Sequence, residues 1–74
     1  MKGFIELSVI GGKNDGASLL VNVADIITVC DGDKSTFITL RSEYYKKGNV
    51  TWEVDENVDE IKHKIIKACG GNVS

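Results

Sequence analysis

The last third of the chain constrains the fold most, because an alternating strand there leads directly into an amphipathic helix. Val50, Trp52 and Val54 alternate with Thr51 and Glu53, which is the period of a strand with one buried and one exposed face. A helix is predicted to follow at once and to pack its apolar stripe on the sheet. A sheet and a single covering helix define an α+β domain.

This predicted helix, over about 58–69, carries its own boundary signals. Asn57 is a favourable N-cap, and Glu60 follows at the spacing of a capping box. Glu60 and Lys64 stand four residues apart, which favours an ion pair. Gly70 predicts the helix end, with a frayed tail over 70–74. The predicted apolar stripe consists of Val58, Ile61, Ile65 and Ala68 or Cys69.

Strands are predicted over about 4–54, upstream of the helix. Glycine-rich residues 11–16 and the Asp-Gly segment 31–34 are predicted hairpin loops. In the second strand, over 18–23, Leu20 and Asn22 are expected to point away from the core. The third strand has apolar residues on both faces, which predicts a bulge or burial on both sides.

The whole chain, 1–74, is therefore predicted to be one small domain. About five mostly antiparallel strands would form a curved sheet or a partly open barrel, with one C-terminal helix. A sheet this small has exposed edges, and strand one or strand five could pair with another copy. We expect a homo-oligomer, most simply a dimer.

Composition limits the possible partners. The net charge is −2, so there is no basic excess to neutralise a phosphate backbone, and nucleic acid is disfavoured. No stretch approaches the roughly 18 apolar residues of a membrane span. We therefore expect a cytoplasmic protein that does not enter a membrane.

Motifs that could support chemistry are incomplete. The loop 11–16 lacks the Gly-Lys-Ser/Thr ending of a phosphate-binding loop, and the segment from Asp31 lacks a calcium loop's Glu at the twelfth position. His63 has no second ligand at helical spacing. Cys30 and Cys69 are expected to be reduced, semi-buried thiols. The acidic residues Glu53, Asp55, Glu56, Asp59 and Glu60 are interpreted mainly as capping and solvated groups. We expect no enzymatic activity, no cofactor and no bound metal.

One aromatic and basic cluster stands out as a candidate contact surface. Tyrosine and arginine are enriched at protein interfaces, and aromatics beside lysines can also stack on bases and bind phosphates. The alternative interpretation is a hairpin loop in which one tyrosine packs on the sheet and the lysines are solvated. The cluster consists of Arg41, Tyr44, Tyr45, Lys46 and Lys47.

A hydrophobic pattern along the chain supports a resemblance to a known family. It comprises Leu20-Val21-Asn22-Val23, Ile26, Val29, Thr36-x-Ile38-x-Leu40, Trp52-Glu53-Val54 and Val58-x-x-Ile61. This resembles the small FlbD-type proteins associated with bacterial flagella and swarming, and short uncharacterised bacterial and phage proteins of similar layout. The chain departs from that pattern in its glycine-rich loop and in segment 42–48. A second similarity, to the DNA-binding domain of LytTR-type response regulators, transfers no functional residue.

The sequence therefore predicts a non-enzymatic accessory or regulatory protein that acts through protein contacts and self-association. The alternative is a small nucleic-acid-binding module that uses the loop from Arg41 and Tyr44 to Lys47.

Overall fold

The computed structural model of the chain describes residues 3–42 and 48–70, which form an α+β domain. Five antiparallel strands in two sheets and one C-terminal helix confirm the predicted fold class. Short 3-10 turns at Gly12–Asn14 and Val23–Asp25 flank the second strand. The elements are β1 (Phe4–Ser8), β2 (Ser18–Asn22), β3 (Ile26–Asp31), β4 (Thr36–Arg41), β5 (Asn49–Val54) and α1 (Val58–Ala68).

The first sheet is the β1–β2 hairpin, in which alternation separates core from solvent. Ile5 faces Val21 across the pair, and Leu7 faces Leu19. Ile5, Leu7 and Val21 are buried, because every second side chain of each strand points toward the second sheet. Leu20 points outward, as predicted.

The second sheet has the order β3-β4-β5 and contains a bulge, one of the two alternatives predicted for the third strand. The β3–β4 register shifts between Ile26 and Thr28. The extra residue, Ile27, reverses which side of the sheet the following side chains face. Ile26, opposite Leu40, and Val29, opposite Ile38, therefore both point into the core. This explains why apolar residues occupy both parities of the third strand.

The two sheets meet at one corner. Val9 and Val54 form an isolated antiparallel bridge. Two backbone hydrogen bonds flank it: the Ile10 N–H donates to the Glu53 carbonyl at 3.0 Å, and the Asp55 N–H donates to the Ser8 carbonyl at 2.9 Å. The strands of the described segments do not close into a barrel. The curved sheet or partly open barrel stays a prediction.

Helix α1 contacts β1 and β3 and begins with the predicted capping box. Its core residue Ile61 is 1% exposed. The Gly3 N–H donates to the Ala68 carbonyl at 3.0 Å, which ties the helix end to the start of β1. Within the described ranges the predicted ion pair between Glu60 and Lys64 does not form. The Glu60 carboxylate instead accepts the Asn57 N–H at 3.2 Å.

The core lies between the two sheets and the helix. Its buried hydrophobic members are Ile5, Leu7, Val21, Ile38, Leu40, Val54 and Ile61. Trp52, Val50, Ile65 and Ala68 pack against it and are only partly buried. In the part of the chain that the structure describes, no helix has the length and apolar character needed to cross a membrane.

Candidate contact site

A groove of about 570 Å³ opens where β2 faces the far ends of β4 and β5. Most of its apolar walls come from the inner faces of the two sheets, and Leu20, which points outward from β2, lies at its edge. Polar groups at the ends of the same strands form its rim. The apolar lining is Leu19, Leu20, Val21, Leu40, Val50 and Trp52, and the polar lining is Asn22, Asp25, Arg41 and Ser42.

Arg41, the first member of the predicted contact cluster, lies on this rim. Its Nη2 is 3.7 Å from Asp25 Oδ1, and it donates to the Ala24 carbonyl at 3.5 Å. The Arg41 side chain is 64% exposed, and an exposed pair of this kind contributes about 0–1 kcal/mol. Asp25 therefore offsets the charge of Arg41 without fixing its side chain strongly.

The turn that positions Asp25 is fixed by a residue of β2. The Asn22 side chain caps the 3-10 turn Val23–Asp25, because its Oδ1 accepts the Ala24 N–H at 3.0 Å. Asn22 thus stabilises the turn that connects β2 to β3, and this turn places Asp25 beside Arg41. The other members of the predicted cluster, Tyr44, Tyr45, Lys46 and Lys47, lie outside the described residues.

The free edge of β2 borders the groove. In the β1–β2 ladder, Val9 donates to the Ala17 carbonyl and Val23 donates to the Gly3 carbonyl. Backbone bonds to β1 therefore come from odd-numbered residues of β2, because hydrogen-bonded and non-hydrogen-bonded pairs alternate. The N–H and C=O groups of the even-numbered residues point to the free edge, where the described residues offer them no partner. These are Ser18, Leu20 and Asn22.

Leu20 is the most exposed large hydrophobic side chain of the described residues, at 55%. Ile27 follows at 48% and Phe37 at 40%. Scattered exposed apolar residues are ordinary, but Leu20 stands beside both an unpaired backbone edge and an apolar groove. An apolar residue at an outward position of an alternating strand was the sequence signal for this site. Sequence reasoning missed it and pointed to the loop after Arg41.

Three threonines, Thr28, Thr39 and Thr51, form a row across the outer face of the second sheet. Thr39 and Thr51 share a hydrogen bond of 3.0 Å between their Oγ1 atoms, across β4 and β5. On the same face Cys30 lies opposite Phe37. Cys30 and Cys69 are both free and exposed. The expectation that these thiols would be semi-buried is therefore wrong. Cys30 points outward because the bulge at Ile27 reverses the side that the later residues of β3 face. Cys69 is exposed at the C-cap, directly after the last residue of the helix.

Several acidic side chains serve as structural acceptors. Glu56 accepts the Ser8 N–H, Glu53 accepts the Ser35 hydroxyl, and Asp15 accepts the Gly11 N–H at 2.7 Å. Glu53 and Glu56 therefore hold separate elements together, a role that the interpretation as capping and solvated groups did not include. Residues 3–42 and 48–70 contain no group of three or more His, Cys, Asp or Glu side chains that could hold a metal ion.

No family model matches the chain, and no curated protein or solved structure matches it either. The resemblance to FlbD-type proteins stays a prediction.

Proposed function

We propose that this protein is a non-enzymatic accessory or regulatory module that acts through contacts with other protein chains, including a second copy of itself. The observation that carries the proposal is the apolar groove beside the unpaired edge of β2. Unpaired strand edges and exposed apolar clefts are the features through which small sheet proteins bind extended segments of other chains. No catalytic role is assigned to any residue.

Self-association is the first part of this proposal to test. Light scattering coupled to size exclusion at high micromolar concentration should give twice the 8.0 kDa monomer mass. The dimer should dissociate on dilution, because the edge of one short strand offers a limited contact area. A strict monomer at high micromolar concentration would contradict self-association.

Contact with a different protein is the second part. A tagged chain should retain its partner when Ile27→Lys is introduced, because Ile27 lies in β3 and does not line the groove. Leu20→Lys and Arg41→Glu should each release the partner, since both residues line the groove. Lys34→Glu, in the loop between β3 and β4, is the charge-matched control for Arg41→Glu. Equal retention by all four variants would rule the groove out.

The nucleic-acid alternative keeps Arg41 and the Tyr44–Lys47 loop as its site. Two observations count against it: the net charge of −2 and the proximity of Asp25, which already offsets the Arg41 charge. Fluorescence anisotropy with single-stranded and duplex DNA and with RNA, at low salt, decides between the two. Salt-dependent binding that is lost in Arg41→Glu would support the alternative over the protein-contact function.

We further infer that the two sheets act as one curved sheet in a partly open barrel, with the groove as its opening. The Val9–Val54 bridge and its two flanking backbone bonds support this. A cytoplasmic location and an origin among bacterial or phage accessory proteins complete the proposal, and they rest on the sequence pattern.

A further inference from the structure

We propose that the dimer forms by antiparallel pairing of β2 with β2 of a second copy, about a twofold axis that passes beside Leu20. The result is a continuous four-stranded sheet in the order β1-β2-β2-β1. This inference rests on the proposed self-association and specifies its surface and register.

The other strand edges are less suited to this pairing. One end of β1 and one end of β5 are joined through the Val9–Val54 bridge and its flanking bonds. The edge strand β3 carries Asp31 and the bulge, and helix α1 packs against it. We therefore assign the pairing to β2, whereas the sequence alone suggested that strand one or strand five could pair with another copy.

The residues of β2 lack the usual protection of an edge strand. Natural edges are blocked by charged side chains, proline, bulges or covering elements. The strand Ser18–Asn22 contains neither a charge nor a proline, and its register with β1 is regular. Charged residues make up 27% of the chain, but the five residues of this edge include none. No charge on the edge therefore opposes its pairing with another strand.

The backbone of β2 is self-complementary in one register. The edge-facing residues Ser18, Leu20 and Asn22 are symmetric about Leu20. Antiparallel pairing therefore places Leu20 opposite Leu20 of the second copy, and Ser18 opposite Asn22. All three pairs are then hydrogen-bonded pairs, and they provide about six backbone bonds. A shift of one residue would align edge-facing groups with groups already bonded to β1.

The side chains agree with this register. Leu20 would lie about 5.5 Å, Cα to Cα, from its symmetry mate, which covers the most exposed large hydrophobic of the described residues. The Asn22 amide uses its Oδ1 to accept the Ala24 N–H. Its NH₂ group remains to donate to the Ser18 hydroxyl of the second copy. Apolar groups thus meet apolar groups, and polar groups meet polar groups.

The same arrangement would also bury part of the apolar groove. A twofold axis perpendicular to the sheet keeps the second layers of both copies on one side. The two grooves then adjoin, and the partly buried Val50 and Trp52 of each copy face the joint between them. Burial of this apolar lining adds to the stability that strand pairing gives the dimer.

A charge-complementation experiment tests the register. Leu20→Lys and Leu20→Glu should each be monomeric, because like charges would oppose each other at the axis. Mixed in equal amounts, the two variants should form a heterodimer whose stability falls with added salt. Ile27→Lys and Ile27→Glu are the matched controls at a comparably exposed apolar position, and both should remain dimeric alone.

A backbone variant gives a second, independent readout. Leu20→Pro removes an N–H that the β1–β2 ladder does not use, so circular dichroism should retain the native spectrum. The dimer should be lost, because two central bonds of the interface disappear and the ring obstructs the edge.

The outcomes separate this inference from the proposed function. If the wild-type protein is dimeric and the Leu20 variants stay dimeric, or their mixture does not restore a lost dimer, the β2 interface is overturned and self-association stands. If the wild-type protein is a monomer at high micromolar concentration, both are overturned.

Discussion

The carboxylate of Glu56 accepts the backbone N–H of Ser8, 48 residues earlier in the chain, at 2.9 Å through Oε1 and 3.1 Å through Oε2. Ser8 ends β1, and Glu56 lies in the turn that leads from β5 into the helix. One side chain therefore joins the first strand to the strand-to-helix unit, beside the bond from the Asp55 N–H to the Ser8 carbonyl.

Loss of the Glu56 carboxylate should destabilise the domain measurably. We expect Glu56→Ala to lower the free energy of unfolding by about 1 kcal/mol, since it leaves the Ser8 N–H without its charged acceptor. That corresponds to a fall in Tm of roughly 4–8 °C for a domain of this size. Glu56→Gln keeps an acceptor oxygen and should cost less. The control Asp55→Ala removes a neighbouring exposed carboxylate and should change Tm little; equal effects of both alanine variants would contradict this role for Glu56.

The helix N-terminus depends on two reciprocal bonds. Asn57 Oδ1 accepts the Glu60 N–H at 2.8 Å, and Glu60 Oε1 accepts the Asn57 N–H at 3.2 Å. Asn57→Ala should cost about 1 kcal/mol in urea unfolding, and Asn57→Ser should be close to neutral. Lys64→Ala should also be nearly neutral, because Lys64 makes no ion pair with Glu60. A larger loss from Lys64→Ala than from Asn57→Ala would mean that the ion pair forms in solution.

Gly32 is required by a close approach within the β3–β4 turn. A Cβ at this position would lie 2.8 Å from the Ser35 carbonyl oxygen and 2.9 Å from Phe37 Cε2. Gly32→Ala should therefore cost about 1–3 kcal/mol. Addition of Phe37→Ala removes one of the two clashes, so the double variant should be more stable than the sum of the two single effects predicts. Strict additivity in urea unfolding would contradict a contact between Gly32 and the Phe37 ring.

Both thiols should react in the native state. Cys30 and Cys69 are free and exposed, so a chromogenic disulfide reagent should modify two thiols per chain without denaturant. Reaction rates within about tenfold of those in urea are expected, because exposure controls access. The variants Cys30→Ser and Cys69→Ser show which reaction rate belongs to which thiol. A thiol that reacts only after unfolding would contradict its exposed position.

Local patterns predicted most of the secondary structure. Alternation placed Val54 on the buried face and Leu20 on the outer face, and the spacing of Asn57 and Glu60 predicted the capping box. The mixed parity of the third strand predicted either a bulge or burial on both sides, and the structure has the bulge, at Ile27. These features depend on residues within a few positions of one another, and for this reason they can be inferred without a fold.

Long-range relationships were not predictable in the same way. Nothing local indicates that the strands divide into sheets of two and three, or that Glu53 and Glu56 bond to Ser35 and Ser8. The groove also depends on two segments far apart in sequence, around Leu20 and around Trp52. The predicted ion pair between Glu60 and Lys64 does not form, because the Glu60 carboxylate accepts the Asn57 N–H in the capping box instead.

The bridge between Val9 and Val54 also bears on synthesis. The first hairpin ends at Asn22, so it leaves the ribosome roughly 30 residues ahead of Glu53, Asp55 and Glu56, to which residues at its loop end are bonded. During that interval the nascent hairpin exposes the inner faces of β1 and β2 without a second layer to cover them. Tertiary folding must therefore follow the emergence of the strand-to-helix unit, and chains stalled before that point should be substrates for chaperones that bind extended apolar segments.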